Sequence, residues 1–434
     1  MGSERVEIRD DVHREGRAGG IRRSHDERHS LGLESRGLYR LLATKYPDYP
    51  ALSLGNDTDP PLPVWAELAP SEQRDDLEAP LGELDLSRPV PSLRRWEYWE
   101  PCDPNGEEEF RHRIVAWDRQ VEETRLGRRR HLDTWNQLTY DLSSLDRTGM
   151  GVKLHCTLGT YVHSLATSEA LAPEIVEAFC AWPDHDPEEV WPRLERRAWL
   201  HERVTDPVAD GRHRSCAIGV STLTLVRVRR LGFDGYRMFL SPDSIGTASR
   251  RRRYHVVPSG MFQPFADESE ESPGGLRARF SVRSTVVREF VEEFYGVEAL
   301  DTGDGRVDQS AIVRRPEARV LTEMLDRGDA QLLYSGVAVN LLTLRPEICT
   351  ALIVHDPDWY DEQSTFLRLA DEDLRKIEPT EPLPDQRWIR TIGLSNDHLE
   401  PDPAWRDALR AGTLVPPAWA AVDLGLRVAR DQIL

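Results

Sequence analysis

The residues best suited to chemistry in this 434-residue chain lie in the segment SVRSTVVREFVEEFY, at positions 281–295. Glu289, Glu292 and Glu293 have the spacing i, i+3 and i+4, so a helix would present all three carboxylates on one face. Carboxylates held this close repel each other unless a cation offsets them, and Mg²⁺ and Mn²⁺ favour oxygen ligands of this kind. The alternative interpretation is an ordinary amphipathic helix with an acidic, solvated face.

The elements around this segment predict how it is positioned. Its apolar residues should pack on a sheet; they are Val282, Val286, Val287, Phe290 and Phe294. Apolar, β-branched runs predict a hairpin from 216–228 and 236–241, and then a strand at 254–258 that leads into Ser259-Gly260. A helix at 316–328, strands at 330–343 and 348–354, and a last helix at 416–432 are predicted downstream.

The order of a strand, a loop with Pro273-Gly274-Gly275 and a helix ending in REFVEE (288–293) resembles the Nudix box of the Nudix hydrolase superfamily. The resemblance covers about 215–360 and implies an α/β fold, a Nudix-type α/β/α sandwich with a mixed sheet. It further implies Mg²⁺ or Mn²⁺ as cofactor. Three residue roles follow from it. Glu289, Glu292 and Glu293 would be metal ligands, and Arg288 would steady the loop. The backbone of Gly274 would make a close approach that a side chain would block.

The match to the Nudix box has departures. Phe280 stands eight residues before Arg288, where the family has a glutamate, and the Pro-Gly-Gly triplet is shifted by about one residue. The box also ends one residue later than usual. We therefore hold two functional hypotheses: a metal-dependent hydrolase of a phosphoanhydride in a nucleoside-diphosphate-linked substrate, and a catalytically silent nucleotide-sensing or scaffold protein with a degenerate Nudix pocket.

Two further residues are candidates for the reaction. Family members often add a late acidic residue, and Glu347 is the best candidate by position, so Glu293 or Glu347 would orient or deprotonate the attacking water. A strand-edge carboxylate is the alternative for Glu347. Arg253, the last of four arginines before the strand at 254–258, could bind a substrate phosphate, with a solvated turn as its alternative.

The N-terminal half carries no comparable motif. Strands at 135–145 and 151–162 and helices from Pro173 and at 193–202 predict an α+β accessory unit. A short helix is expected at the beginning of 36–49, with Leu38, Leu41 and Leu42 on one side. We expect four regions: a largely disordered or loop-rich segment (1–93), the accessory domain (94–205), the Nudix-like domain (206–370) and a helical extension (371–434).

Composition restricts the class of protein. The net charge of −19 argues against bulk nucleic-acid binding, which needs a basic surface, and no stretch approaches the roughly 18 apolar residues of a membrane helix. Five scattered cysteines and an N-terminus without an apolar core predict a cytoplasmic protein. The layout is also similar to bacterial proteins with a divergent Nudix-like region. A protein partner or a homo-oligomer stays open.

Overall fold

A computed structural model describes residues 36–52, 61–87, 137–182, 185–230, 233–242, 254–264, 272–296, 300–301, 307–308, 314–364, 366–367, 389–401 and 414–434. The sequence also predicts disorder in residues 1–35, a charged helix at 107–130 and a helix at 403–411. All three predictions, and the predicted role of Arg253, concern residues outside the described ranges.

The described helices are α1 (Arg36–Lys45), α2 (Tyr161–Ala166), α3 (Leu171–Ala181), α4 (Pro187–Val190), α5 (Glu195–Arg203), α6 (Pro273–Ala278), α7 (Val282–Tyr295), α8 (Pro316–Arg327), α9 (Trp359–Gln363) and α10 (Pro416–Ile433). The strands are β1 (Val64–Leu68), β2 (Leu81–Leu84), β3 (Leu138–Thr148), β4 (Gly151–Thr160), β5 (Gly219–Arg230), β6 (Phe233–Pro242), β7 (Tyr254–Val256), β8 (Ser259–Met261), β9 (Leu300–Asp301), β10 (Val307–Asp308), β11 (Ala330–Asn340), β12 (Arg345–Val354) and β13 (Arg390–Gly393).

The main sheet is mixed and has eight strands. Its principal order is β1-β11-β12-β5-β6-β13, while β7 pairs with β6 and β8 pairs with β5. The β12–β5 pair is parallel, and the other pairs of this sheet are antiparallel.

Helices cover both faces of the main sheet. Val220 and Val226 of β5 belong to one buried apolar cluster with α7 and α8, whereas Leu223 and Leu225 belong to a second cluster with α10. The division follows from the strand period of two, which sends alternate side chains to opposite faces. The protein is thus a mixed α/β structure with α7 and α8 on one face of the sheet and α10 on the other.

A smaller sheet, of order β2-β4-β3, adjoins the main one. Tyr140 of β3 donates its N–H to the carbonyl of Phe262 at 3.0 Å and accepts the N–H of Ile218 at 3.0 Å. Buried residues of β3 and β4 also share an apolar cluster with β5 and α7. The predicted boundary between residues 205 and 206 stays a prediction, but the described parts of both units share one core.

The sequence predicted most of these elements. The strands at 138–148 and 151–160, the hairpin of β5 and β6, and helices α1, α5, α7, α8 and α10 are confirmed within a few residues. Recurring prolines predict a loop-rich, partly extended linker at about 55–93. This segment contains β1 and β2, and β1 pairs with β11 at the edge of the main sheet. No helix in the described ranges is long and apolar enough to cross a bilayer.

Candidate functional site

Helix α7 carries the predicted carboxylates, and its limits are encoded locally. The Ser281 side chain accepts a hydrogen bond from the Ser284 N–H at 3.3 Å, which is a standard N-cap. Gly296 ends the helix with φ +68°, a left-handed conformation that glycine adopts without strain. The stripe that packs on the sheet repeats every four residues and is fully buried: Val282, Val286, Phe290 and Phe294.

A residue from the predicted linker also binds the start of α7. Glu78 accepts hydrogen bonds from the Ser281 hydroxyl at 2.9 Å and from the Val282 N–H at 3.1 Å. An anion at a helix N-terminus satisfies free N–H groups and interacts favourably with the helix dipole. The contact of Glu78 with α7 was not predicted from the sequence, because Glu78 lies more than 200 positions from its partners.

Strand β8 lies directly against the acidic end of α7. The Ser259 N–H donates to Glu293 Oε2 at 2.8 Å. At the next residue, a Cβ added to Gly260 would overlap the Glu289 carboxylate, so this position has room for glycine alone. The acidic face of the helix therefore meets the peptide backbone of a strand, with no side chain between them at residue 260.

Arg288 lies among these carboxylates with 2% of its side chain exposed. Its guanidinium contacts Glu289, donates to Glu292 Oε2 at 3.2 Å and donates to the Met261 carbonyl at 3.2 Å. The last contact joins Arg288 to strand β8, and its expected role in steadying the Pro273-Gly274-Gly275 loop stays a prediction. We call Arg288, Glu289, Glu292 and Glu293 the helix cluster.

Burial raises the pKa values of the carboxylates of the helix cluster. It raises the pKa of Glu289 to about 8, with the Arg288 charge opposing the shift and Glu292 adding to it. Burial likewise raises the pKa of Glu292, and it raises the pKa of Glu293 well above its ordinary value with a further increase from Glu289.

The structure does not bring Glu347 to this group, which corrects its predicted role as a catalytic partner. Glu347 lies beside Gly219 in the parallel β12–β5 pair, and a Cβ on Gly219 would overlap its carboxylate. Gly260, which faces α7, pairs with Val220, the next residue along β5. Because neighbouring strand residues point to opposite faces, the sheet separates Glu347 from the helix cluster.

Glu347 belongs instead to a second charged group on that other face. Arg345, two residues before it, contacts Glu169 and donates to the Ala217 carbonyl at 2.8 Å and to Met261 Sδ at 2.9 Å. Glu347 accepts a hydrogen bond from the Ser221 hydroxyl at 3.0 Å.

Asp141 completes this second group. The Thr139 hydroxyl donates to it at 2.6 Å and the Ser215 hydroxyl at 2.5 Å, while burial raises its pKa to about 6. We call Asp141, Glu169, Arg345 and Glu347 the strand cluster. Nothing in the sequence pointed to Asp141 or Glu169, since Ser215 and Arg345, which contact them, come from distant segments.

The close backbone approach expected at Gly274 is also not found there. Gly274 lies in the short helix α6, and a Cβ added to it would meet no atom within 4 Å. Gly260 makes the approach instead. The signal was present in the sequence, since Ser259-Gly260 directly follows a predicted strand. Phe280, which replaces the family's glutamate, packs against Tyr140 and Phe262 with ring centroids 4.9 and 5.3 Å away.

The donor set of the helix cluster suits a hard divalent cation, because all of its ligating atoms are carboxylate oxygens. A positive charge is already among them in the form of the Arg288 guanidinium. Among the described residues, no three His, Cys, Asp or Glu side chains are arranged to hold a metal ion as they stand.

No protein-family model matches the sequence, and no curated protein matches it.

Proposed function

We propose that the chain is a metal-dependent hydrolase with a Nudix-type α/β/α core, acting on a phosphoanhydride in a nucleoside-diphosphate-linked substrate. The observation that carries the proposal is the face of three carboxylates on α7 held against the glycine backbone of β8. Helices on both faces of a mixed sheet support the fold assignment. The substrate class rests on the resemblance of the REFVEE segment to the Nudix box.

Glu289, Glu292 and Glu293 would hold Mg²⁺ or Mn²⁺. Bound there, the cation would neutralise the diphosphate and lower the pKa of a bound water molecule. Glu293 is the better candidate for orienting or deprotonating that water, since Glu347 lies across the sheet. One oxygen of Glu293 is fixed by the Ser259 N–H, which orients the carboxylate and leaves its other oxygen to accept a proton.

We also propose a cytoplasmic location. Cys156, Cys216 and Cys349 are free thiols in the described part of the chain. Unpaired cysteines are typical of reducing compartments.

The second candidate function is a nucleotide-sensing or scaffold protein without turnover. Two observations favour it: Phe280 replaces the family's glutamate, and Arg288 already compensates Glu289 and Glu292. A protein of this kind would bind its nucleotide in the same pocket, with Arg288 instead of a metal ion compensating the charges of Glu289 and Glu292.

A hydrolysis screen separates the two candidates. Nucleoside di- and triphosphates, dinucleoside polyphosphates and nucleotide sugars are incubated with Mg²⁺ or Mn²⁺ and either the wild type or the double variant Glu292→Gln/Glu293→Gln. A matched control is Glu188→Gln/Glu189→Gln, which neutralises two adjacent, exposed glutamates on α4. We expect turnover of one substrate class, unchanged in the control and reduced at least about 100-fold in the double variant.

Two outcomes would contradict the enzyme proposal. Turnover that survives in Glu292→Gln/Glu293→Gln would place the chemistry elsewhere in the molecule. Absence of turnover with every compound, in a folded protein, would favour the sensing or scaffold protein, and nucleotide binding would then be measured directly.

A further inference from the structure

The position of Arg288 in the helix cluster has a consequence for cation binding. Its guanidinium contacts both Glu289 and Glu292, the two carboxylates that α7 presents one turn apart. With 2% of its side chain exposed, Arg288 is shielded from water, and so its charge acts on those carboxylates with little screening. The contacts engage Oε1 of Glu289 and Oε2 of Glu292. A cation bound by these two carboxylates would therefore lie close to the guanidinium charge, which repels it.

Arg288 also has a contact that does not depend on carboxylates. One guanidinium nitrogen donates to the Met261 carbonyl at 3.2 Å, and Met261 is fixed by its pairing with Gly219 in the β5–β8 ladder. The side chain therefore has an acceptor that remains if Glu289 and Glu292 turn toward another cation.

We infer that Arg288 is an internal counter-ion, which a divalent cation must displace from Glu289 and Glu292 in order to bind. This inference concerns the regulation of the proposed metal site and rests on the proposed function. It explains why Glu289, Glu292 and Glu293 are not arranged to hold a metal ion as they stand, although all three share one helix face.

The alternative role for Arg288 makes the opposite prediction. If the guanidinium positions the carboxylates for the metal, removing it should weaken metal binding. If it competes with the metal, removing it should strengthen binding, because a positive charge within hydrogen-bond distance of the ligands is lost.

The test is Mn²⁺ binding, followed as the loss of the free-ion signal in electron paramagnetic resonance, with Mn²⁺ alone and without substrate. Measurements at pH 8 limit competition from protons for the buried carboxylates. The variants are Arg288→Gln and, as a control with the same charge change on the same helix, Arg283→Gln, whose side chain is exposed and pairs with Asp326. We expect Arg288→Gln to bind Mn²⁺ at least about tenfold more tightly and Arg283→Gln to match the wild type. Weaker or unchanged binding by Arg288→Gln, including no binding by either protein, would overturn the inference.

A second measurement uses the wild type, in case Arg288→Gln does not fold. Nuclear magnetic resonance of arginine Nε–H groups follows Arg288 while Mg²⁺ is added. Displacement predicts a shifted Arg288 signal with faster proton exchange; Mg²⁺ binding with an unchanged Arg288 signal contradicts it.

The two proposals can fail separately. Tighter Mn²⁺ binding by Arg288→Gln, without hydrolysis of any substrate, would support the counter-ion role of Arg288 and reject the hydrolase function. Hydrolysis that requires Glu292 and Glu293, combined with weaker Mn²⁺ binding by Arg288→Gln, would support the hydrolase function and reject the counter-ion role of Arg288.

Discussion

The helix cluster and the strand cluster have the same composition but differ in how their charges are compensated. Each has one arginine and three carboxylates, and the two arginines meet at Met261, Arg288 at its carbonyl and Arg345 at its sulfur. In the strand cluster every carboxylate has its own donor. Glu169 has Arg345, Glu347 has the Ser221 hydroxyl and Asp141 has two hydroxyls; in the helix cluster Glu289 and Glu292 share Arg288.

This difference separates a structural group from a functional one. A buried polar network whose members are all satisfied fixes the packing of the segments that it joins. The strand cluster joins four such segments, around Asp141, Glu169, Ala217 and Arg345. Burial also raises the pKa values of Asp141 and Glu347 in the strand cluster, so a raised pKa alone does not distinguish the two groups. Buried carboxylates that share a single donor, as Glu289 and Glu292 share Arg288, are instead typical of sites that bind a cation or move a proton. We therefore assign the chemistry to the helix cluster.

Two glycines provide the largest test of this comparison. Gly260 lies under Glu289 and Gly219 under Glu347, and a Cβ at either position would overlap the carboxylate. Gly260→Ala and Gly219→Ala should each lower the free energy of unfolding by about 1–3 kcal/mol, measured by urea denaturation, because both overpack a buried position. Activity should separate them: per folded molecule, Gly260→Ala should lose turnover, while Gly219→Ala should keep it.

The opposite pattern, with turnover lost in Gly219→Ala and kept in Gly260→Ala, would transfer the chemistry to the strand cluster. Equal loss in both variants would mean that the groups on the two faces of the main sheet act as one site.

A smaller effect is expected at the start of α7. Glu78→Ala removes the carboxylate that accepts from Ser281 and Val282, so the free energy of unfolding should fall by about 1 kcal/mol, as for loss of a helix cap. Glu83→Ala, an exposed glutamate on β2, is the control and should leave stability unchanged. Thermal unfolding of the three proteins measures the difference, and equal melting temperatures for Glu78→Ala and the wild type would refute a capping role.

Local patterns were sufficient to predict the elements of the fold. The i, i+4 repeat of Val282, Val286 and Phe290 defined α7 and, with it, the shared face of the three glutamates. The β-branched run of β5 and the turn after it defined the central hairpin. Each of these signals is contained within about one element of sequence.

Long-range pairing could not be predicted from a single sequence. Glu347 was assigned to the site by its place along the chain, but its face of the sheet is set by the parallel register with Gly219. Gly274 matched a spacing, yet the glycine that faces α7 is Gly260, because β8 pairs with β5 there. The prolines around β1 suggested a linker; Pro63 and Pro70 in fact flank an edge strand, a place where proline is tolerated.

The most direct test of the account is Mn²⁺ binding to the wild type, to Glu292→Gln/Glu293→Gln and to Glu347→Gln. The account predicts that the double variant loses at least about tenfold in affinity, because two carboxylate ligands are neutralised, and that Glu347→Gln binds as the wild type does. Loss of binding in Glu347→Gln, with binding retained in Glu292→Gln/Glu293→Gln, would contradict the assignment of the site to the helix cluster.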